Sequence, residues 1–143
     1  MLEFLPEGTI LEGQGGSEIY KLMDHQVISN FWSSQFRSDK ITIIFPHPIK
    51  IEGFKLKGVT WYRDTTRWRF DISEKLPDGS WNLIHSQALA FPGSVGPIID
   101  GPYLDTMWVN TTEYRVLKIE FRVIDPPNSD YKLFIEEFYI HRV

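Results

Sequence analysis

The sequence predicts an all-β domain folded as a sandwich or jelly roll, and three observations predict it. Apolar residues recur at every second position in several separate segments, the period of a strand with one buried face. Turn chemistry falls between these segments at short spacing, which suits many short antiparallel strands rather than a parallel α/β sheet. Only Ser17 to Gln26 has a pattern able to hold a helical turn.

The alternation is clearest in three runs. Within 49–58, Phe54 and Leu56 alternate with Lys55 and Lys57. Within 67–73, Trp68, Phe70 and Ile72 alternate with Arg67, Arg69 and Asp71. Within 115–122, Leu117, Ile119 and Phe121 alternate with Lys118, Glu120 and Arg122. Ile41, Ile43 and Phe45 share one face of a shorter apolar run. Phe134, Phe138 and Ile140 share one parity near the C-terminus. Between the runs, Pro46-His47-Pro48 is expected to separate two strands. Pro77-Asp78-Gly79 is a strong tight-turn signal, with Trp81 opening the next strand. Pro92-Gly93 and Gly101-Pro102 bracket a longer loop, and Asp125-Pro126-Pro127-Asn128 closes another. About seven to nine strands are expected, the number such folds use. Phe54, Phe70, Ile72, Leu117, Ile119 and Phe138 are expected in one core, with Trp68 and Trp81 beside them. The termini are expected to lie close together.

Composition narrows the function. At 143 residues the chain suits one domain, expected to span 1–143, and can bury a full core without staples. A net charge of −4 argues against nucleic acid, because a phosphate binder carries a basic surplus. The absence of cysteine rules out disulfides and thiolate metal sites. The N-terminus carries Glu3 and Glu7 where a secretory signal needs positive charge, and no apolar run approaches the roughly 20 residues that span a bilayer. A cytoplasmic location, or a virion assembled in the cytosol, is therefore expected. Asn110-Thr111-Thr112 matches a glycosylation acceptor and is read as chance.

The order of the segments resembles the discoidin domain, the C-type domain of coagulation factors, within the galactose-binding-like superfamily of jelly rolls. Four pieces carry the resemblance. Tyr20-Lys21-Leu22-Met23-Asp24 followed by Trp32-Ser33-Ser34 is similar to the family's aspartate-to-tryptophan segment. Ile41 to Phe45 and Ile51 to Leu56 are similar to its paired strands joined by a proline turn. Phe70-Asp71-Ile72-Ser73 and Asp78-Gly79-Ser80-Trp81 are similar to its strand, serine, aspartate-glycine, tryptophan hairpin. Tyr114 to Ile119 and Ile135 to Tyr139 match its closing strands. The likeness covers about residues 10 to 142. It departs at His25, where the family has glycine, at Lys118, where it has arginine, and in lacking terminal cysteines. The resemblance implies that Trp32 is a core residue.

The resemblance also implies a structural calcium held through Asp24, Ser29 or Asn30, and Glu137. Calcium takes six to eight oxygens, several of them backbone carbonyls that any loop supplies. The alternative is that Asp24 caps a turn and Glu137 is a solvated strand residue. Family members bind sugars, phospholipid heads or proteins at the loops of one end. Trp61, Tyr62, Arg63, Asp64 and Arg67 supply suitable chemistry here. Aromatic faces stack on sugar rings while arginine and aspartate hydrogen-bond the hydroxyls. Simple rim packing of Trp61 and Tyr62, or a sheet-edge protein interface, is the competing reading. Ile98 and Ile99 lie in a loop stiffened by Pro92, Pro97 and Pro102, and give apolar area for a partner protein.

Enzyme signatures are lacking. The chain has no phosphate-binding glycine loop and no nucleophile elbow, and His25, His47, His85 and His141 show no i, i+4 metal spacing. The expectation is a non-catalytic binding module in an oligomeric assembly. Its first expected setting is a phage virion, as a decoration, baseplate or tail-associated protein contacting other virion proteins or glycan. The alternative is a cytosolic carbohydrate-binding module or an adaptor subunit of a cellular complex.

Overall fold

The computed structural model describes residues 2–13, 19–23, 32–33, 38–59, 66–91, 103–107, 112–125 and 134–143. These residues form a jelly-roll sandwich of two antiparallel sheets. The strands are β1 (Leu2–Phe4), β2 (Ile10–Gly13), β3 (Trp32–Ser33), β4 (Ser38–Ile49), β5 (Ile51–Val59), β6 (Thr66–Lys75), β7 (Trp81–Phe91), β8 (Tyr103–Met107), β9 (Tyr114–Asp125) and β10 (Phe134–Arg142). A 3₁₀ turn, Ile19–Met23, falls inside the segment expected to hold one. One sheet has the order β1-β10-β5-β8, with β3 also paired to β10, and the other has the order β2-β4-β9-β6-β7. The ten strands exceed the expected seven to nine because β1 and β3, at three and two residues, are too short to show a period.

The alternating runs place their apolar parities in one core. Ile41, Ile43 and Phe45 of β4, Trp68, Phe70 and Ile72 of β6, and Leu117, Ile119 and Phe121 of β9 face Phe54 and Leu56 of β5 and Phe138 and Ile140 of β10. Phe121 packs against Trp68 and Phe70 with ring centroids 5.9 and 5.8 Å apart, and Phe54 meets Phe138 edge-on at 5.0 Å. The side chain of Trp32 lies outside the described residues. The termini are adjacent as expected: Leu2 pairs with His141, and Glu3 lies 3.6 Å from Arg142.

The Pro77-Asp78-Gly79 turn forms as its chemistry dictates. The Gly79 amide donates to the Leu76 carbonyl at 2.9 Å, and Leu76 donates to Ser80 at 2.8 Å. Gly79 has φ +88°, a left-handed conformation that glycine adopts without steric cost. Asp78 accepts hydrogen bonds from the Ser80 hydroxyl and amide, which hold its carboxyl below the ordinary value. The prolines of Pro46-His47-Pro48 do not separate strands as expected. β4 runs through them to Ile49, and the cost appears as a break in its pairing with β9 between Ile44 and Ile49. At the C-terminus, a register shift between Ile135 and Glu137 breaks the expected parity, so that Ile135 is buried along with Phe138 and Ile140.

Trp81 is not a core residue, contrary to the sequence expectation. It is 37% exposed, and the neighbouring Leu83 is 58% exposed. The cause is a bulge in β7. His85 pairs with Ile72, but Leu83 pairs with Ser73, so Ile84 is an extra residue. The inserted residue turns Trp81 and Leu83 onto the outer face, which is what a bulge does to the side chains before it. There the Lys118 ammonium sits 4.4 Å from the indole centroid and 2.7 Å from Glu120. Trp81→Ala is therefore expected to cost less than about 1 kcal/mol in urea unfolding, against about 3–5 kcal/mol for a buried aromatic. A loss in the upper range would return the indole to the core.

Candidate functional site

The strand registers show where the chain leaves the sandwich. At one end, Val59 of β5 pairs with Phe134 of β10, Lys57 with Tyr103 of β8, and Ile135 with Trp32 of β3. At the same end of the other sheet, Thr66 of β6 pairs with Phe91 of β7, Arg67 with Asp125 of β9, and Ser38 of β4 with Arg122 of β9. The connections 60–65, 92–102 and 126–133 therefore all depart from and return to this one end. So does 34–37. The sequence-predicted ligand residues Trp61, Tyr62, Arg63 and Asp64 belong to the first connection, and Ile98 and Ile99 to the second. All six lie outside the described residues. What the topology establishes is that both connections are anchored on a common rim.

Arg67 is the one predicted ligand residue that is described. It is exposed, at the rim end of β6. Below it on the outer face, Arg69 donates to the Ser86 hydroxyl at 2.8 Å, Ser86 donates to Asp71 at 2.5 Å, and Arg122 lies 3.4 Å from the second oxygen of Asp71. This ladder joins β6, β7 and β9 through paired charges. Arg67 continues its row toward the rim.

Glu137 behaves differently from a solvated strand residue. It is only 3% exposed. It shares parity with Tyr139 and His141, which are half-buried on the outer side of β10, whereas Phe138 and Ile140 point into the core. The 3₁₀ turn Ile19–Met23 packs on β10, β3 and β2 and puts Leu22 into the core. The Oε2 atom of Glu137 is buried and accepts no hydrogen bond from the described residues, although the residue has other interactions. The other sequence-predicted calcium residues, Asp24, Ser29 and Asn30, lie in 24–31, outside the described residues. Asp24 directly follows the 3₁₀ turn. Among the described residues no three acidic, histidine or cysteine side chains cluster. The burial of Glu137 is the feature sequence reasoning missed; Glu136, Glu137 and Tyr139 give no sign of it, because the register shift beside it is set by the pairing with β5.

A shallow cavity of about 430 Å³ lies at the opposite end, lined by Pro48, Leu76, Pro77, Thr112 and Val116 among others. It contains none of the expected ligand residues. No helix among the described residues is long and apolar enough to cross a membrane.

No family model matches the chain, and no curated protein matches it. Solved structures do. The family 32 carbohydrate-binding module from Streptococcus pneumoniae EndoD aligns with a TM-score of 0.67 at 14% identity, covering 99% of this chain and 99% of that one. The family 32 module from C. perfringens NanJ in complex with galactose aligns at 0.67 and 8% identity, covering 98% of each. The family 32 module of AlyQ in complex with 4,5-unsaturated mannuronic acid aligns at 0.64 and 18% identity, covering 99% and 98%. The chain also aligns with a Ruminococcus gnavus GH29 fucosidase in complex with fucose at 0.63 and 14% identity. There it covers 95% of itself but only 25% of the enzyme. The likeness is one of fold. This is the jelly-roll sandwich that the sequence resemblance implied.

Proposed function

We propose that the chain is a non-catalytic carbohydrate-binding module that takes its ligand at the rim carrying the connections 60–65 and 92–102. The observation that carries this reading is the topology. It anchors the segment Trp61-Tyr62-Arg63-Asp64 beside Arg67 on the rim where the connections of both sheets gather. Support also comes from the end-to-end alignment with separate modules of the same size, one solved with galactose and one with 4,5-unsaturated mannuronic acid. The virion setting draws no support from these alignments, so the alternative expectation of carbohydrate binding takes its place. Ile98 and Ile99 belong to the connection 92–102, which starts and ends on the same rim, and we read them as apolar area for the ligand or for a partner protein.

The Glu137 region fits a structural calcium. A buried carboxylate at the rim end of β10 supplies one hard oxygen ligand, and Asp24, Ser29 and Asn30 supply the remaining side-chain candidates. Bound there, calcium would fix the 24–31 connection against β10 and neutralise a charge that is costly to bury. The residues act as scaffold for the rim rather than as contacts to sugar.

The test is an immobilised-glycan screen of the full chain, covering galactosides, fucosides and uronates, followed by Trp61→Ala. Loss of a stacking aromatic is expected to weaken binding by about 2 kcal/mol or more, roughly thirtyfold, with the circular dichroism spectrum unchanged. A blank screen, or binding untouched by Trp61→Ala, Arg63→Ala and Asp64→Ala, would remove the rim as the site.

A further inference from the structure

We propose that the outer face of the sheet β2-β4-β9-β6-β7 is a second carbohydrate site, which takes a neutral polysaccharide chain laid across the strands from Trp81 to Glu12. It rests on the carbohydrate reading of the chain but not on the rim. The registers line up Glu12 of β2, Thr42 of β4, Lys118 of β9, Ser73 of β6 and Leu83 of β7 in one cross-strand row. All five side chains share the outer face, because Leu11, Ile41, Ile43, Leu117, Ile119 and Ile72 fill the inner one. Four strand spacings separate the ends of the row, roughly 19 Å, the span of a short oligosaccharide. Ser73 lies six residues along β6 from Arg67, roughly 20 Å from the rim.

Trp81 supplies the platform at one end. It stands on β7, yet its ring centroid is 4.4 Å from the ammonium of Lys118 on β9, with β6 between the two strands. The indole therefore lies along the sheet rather than standing off it. The two groups beneath it confirm the geometry. Ser73 is buried although it faces outward, and the Lys118 side chain is only 14% exposed. The indole covers them and keeps its other face toward solvent, which accounts for its own exposure. Lys118 is also held 2.7 Å from Glu120, so the ring rests on a paired charge. The bulge at Ile84 is what puts Trp81 on this face, and bulges re-aim side chains in this way next to functional sites.

The other end of the row is a depression of about 300 Å³ lined by Glu12, Gly13, Lys40 and Thr42. Lys40 pairs with Glu120 across the strands, so polar groups continue from this depression to the edge of the indole. These residue types select the occupant. A protein interface concentrates apolar contacts at its centre and is depleted there in lysine and glutamate, whereas this row has Lys118 and Glu120 at its middle. A sugar chain offers what the row can use: apolar ring faces for the indole, and hydroxyls that both donate to carboxylates and accept from ammonium groups. The occupant is neutral because both signs of charge alternate along the row, so a polyanion would meet Glu120 and Glu12.

Native-gel electrophoresis of the full chain through soluble galactan, mannan and glucan tests it, with polymannuronate as the anionic comparison. The expected result is retardation by at least one neutral polymer, weakened about tenfold or more by Trp81→Ala, largely kept by Trp81→Phe and reduced by Glu12→Ala at the far end. Trp81 and Glu12 are surface side chains, so melting temperatures should hold. Retardation of Trp81→Ala equal to that of the native chain overturns the proposal, as does retardation by polymannuronate alone or by no polymer. Loss on Trp81→Ala with no effect of Trp61→Ala upholds the sheet face and removes the rim; the reverse pattern removes the sheet face and leaves the rim. Self-association without polysaccharide that Trp81→Ala abolishes, seen by sedimentation, would assign the face to a protein partner instead.

Discussion

Phe70→Ala should lower the unfolding free energy by about 3–5 kcal/mol, a large share of what a domain of this size has to lose. Phe70 is fully buried at the middle of β6, with β7 and β9 on its two sides. Its ring packs 5.8 Å from Phe121, which also carries Trp68 at 5.9 Å. Truncation leaves a void bounded by rings and by β-branched Ile72 and Ile119, groups with little freedom to collapse into it. The cost then includes lost contacts and the cavity as well as lost transfer free energy. Equilibrium urea denaturation should show the midpoint moving down with little change in slope. A loss below about 1 kcal/mol would mean that the site relaxes or that the ring is not enclosed.

The same strand shows how far the amino-acid pattern alone specifies the core. From Arg67 to Ile72 in β6 and from Leu117 to Arg122 in β9, charged and apolar residues alternate strictly, so Arg69 and Asp71 must face water if Phe70 is to be buried. Six of the expected core residues, Phe54, Phe70, Ile72, Leu117, Ile119 and Phe138, are buried on that logic. β7 defeats it. Trp81, Leu83, His85, Gln87 and Leu89 all sit on odd positions, and no charged residue marks the outward side. Nothing in the sequence signals that Ile84 interrupts the period. A bulge is set by the partner strand, where Ser73 and Ile72 take Leu83 and His85, and so is read only from pairing. The prolines at 46 and 48 mislead in the same way. Chain chemistry shows that the β4–β9 ladder must break near them, but not that the strand continues.

The site is legible in kind more than in position. The aromatic and charged run at 61–67 reads as a binding loop from its residue types, whereas the strand order that puts its connection on the same rim as 92–102 follows from long-range pairing. Glu137 is legible from resemblance alone. The spacing Ile135-Glu136-Glu137-Phe138 makes two neighbouring carboxylates look equivalent in sequence, and the register shift after Ile135, which sets the parity of Glu137, follows only from pairing with β5.

That burial gives a sharp expectation. In saturating calcium the native chain should melt higher than in chelator. With metal at about a hundred times its dissociation constant, the gain is about 2.7 kcal/mol, or roughly 8–10 °C for a chain of this length. Glu137→Gln keeps the side-chain shape and removes the charge. If Glu137 is a calcium ligand, the variant should lose the calcium-dependent rise while melting close to the native chain in chelator. If the carboxylate is instead held by partners within the chain, the variant should fall by a similar amount in both conditions, since breaking a buried charged interaction costs about 3–5 kcal/mol whatever the solvent cation. Asp24→Asn should reproduce the first pattern, because Asp24 follows directly on the 3₁₀ turn that packs against β10. Differential scanning calorimetry of the three chains, each in calcium and in chelator, separates the two cases. Equal melting of the native chain in both solutions would sink the calcium reading and leave Glu137 as a structural carboxylate.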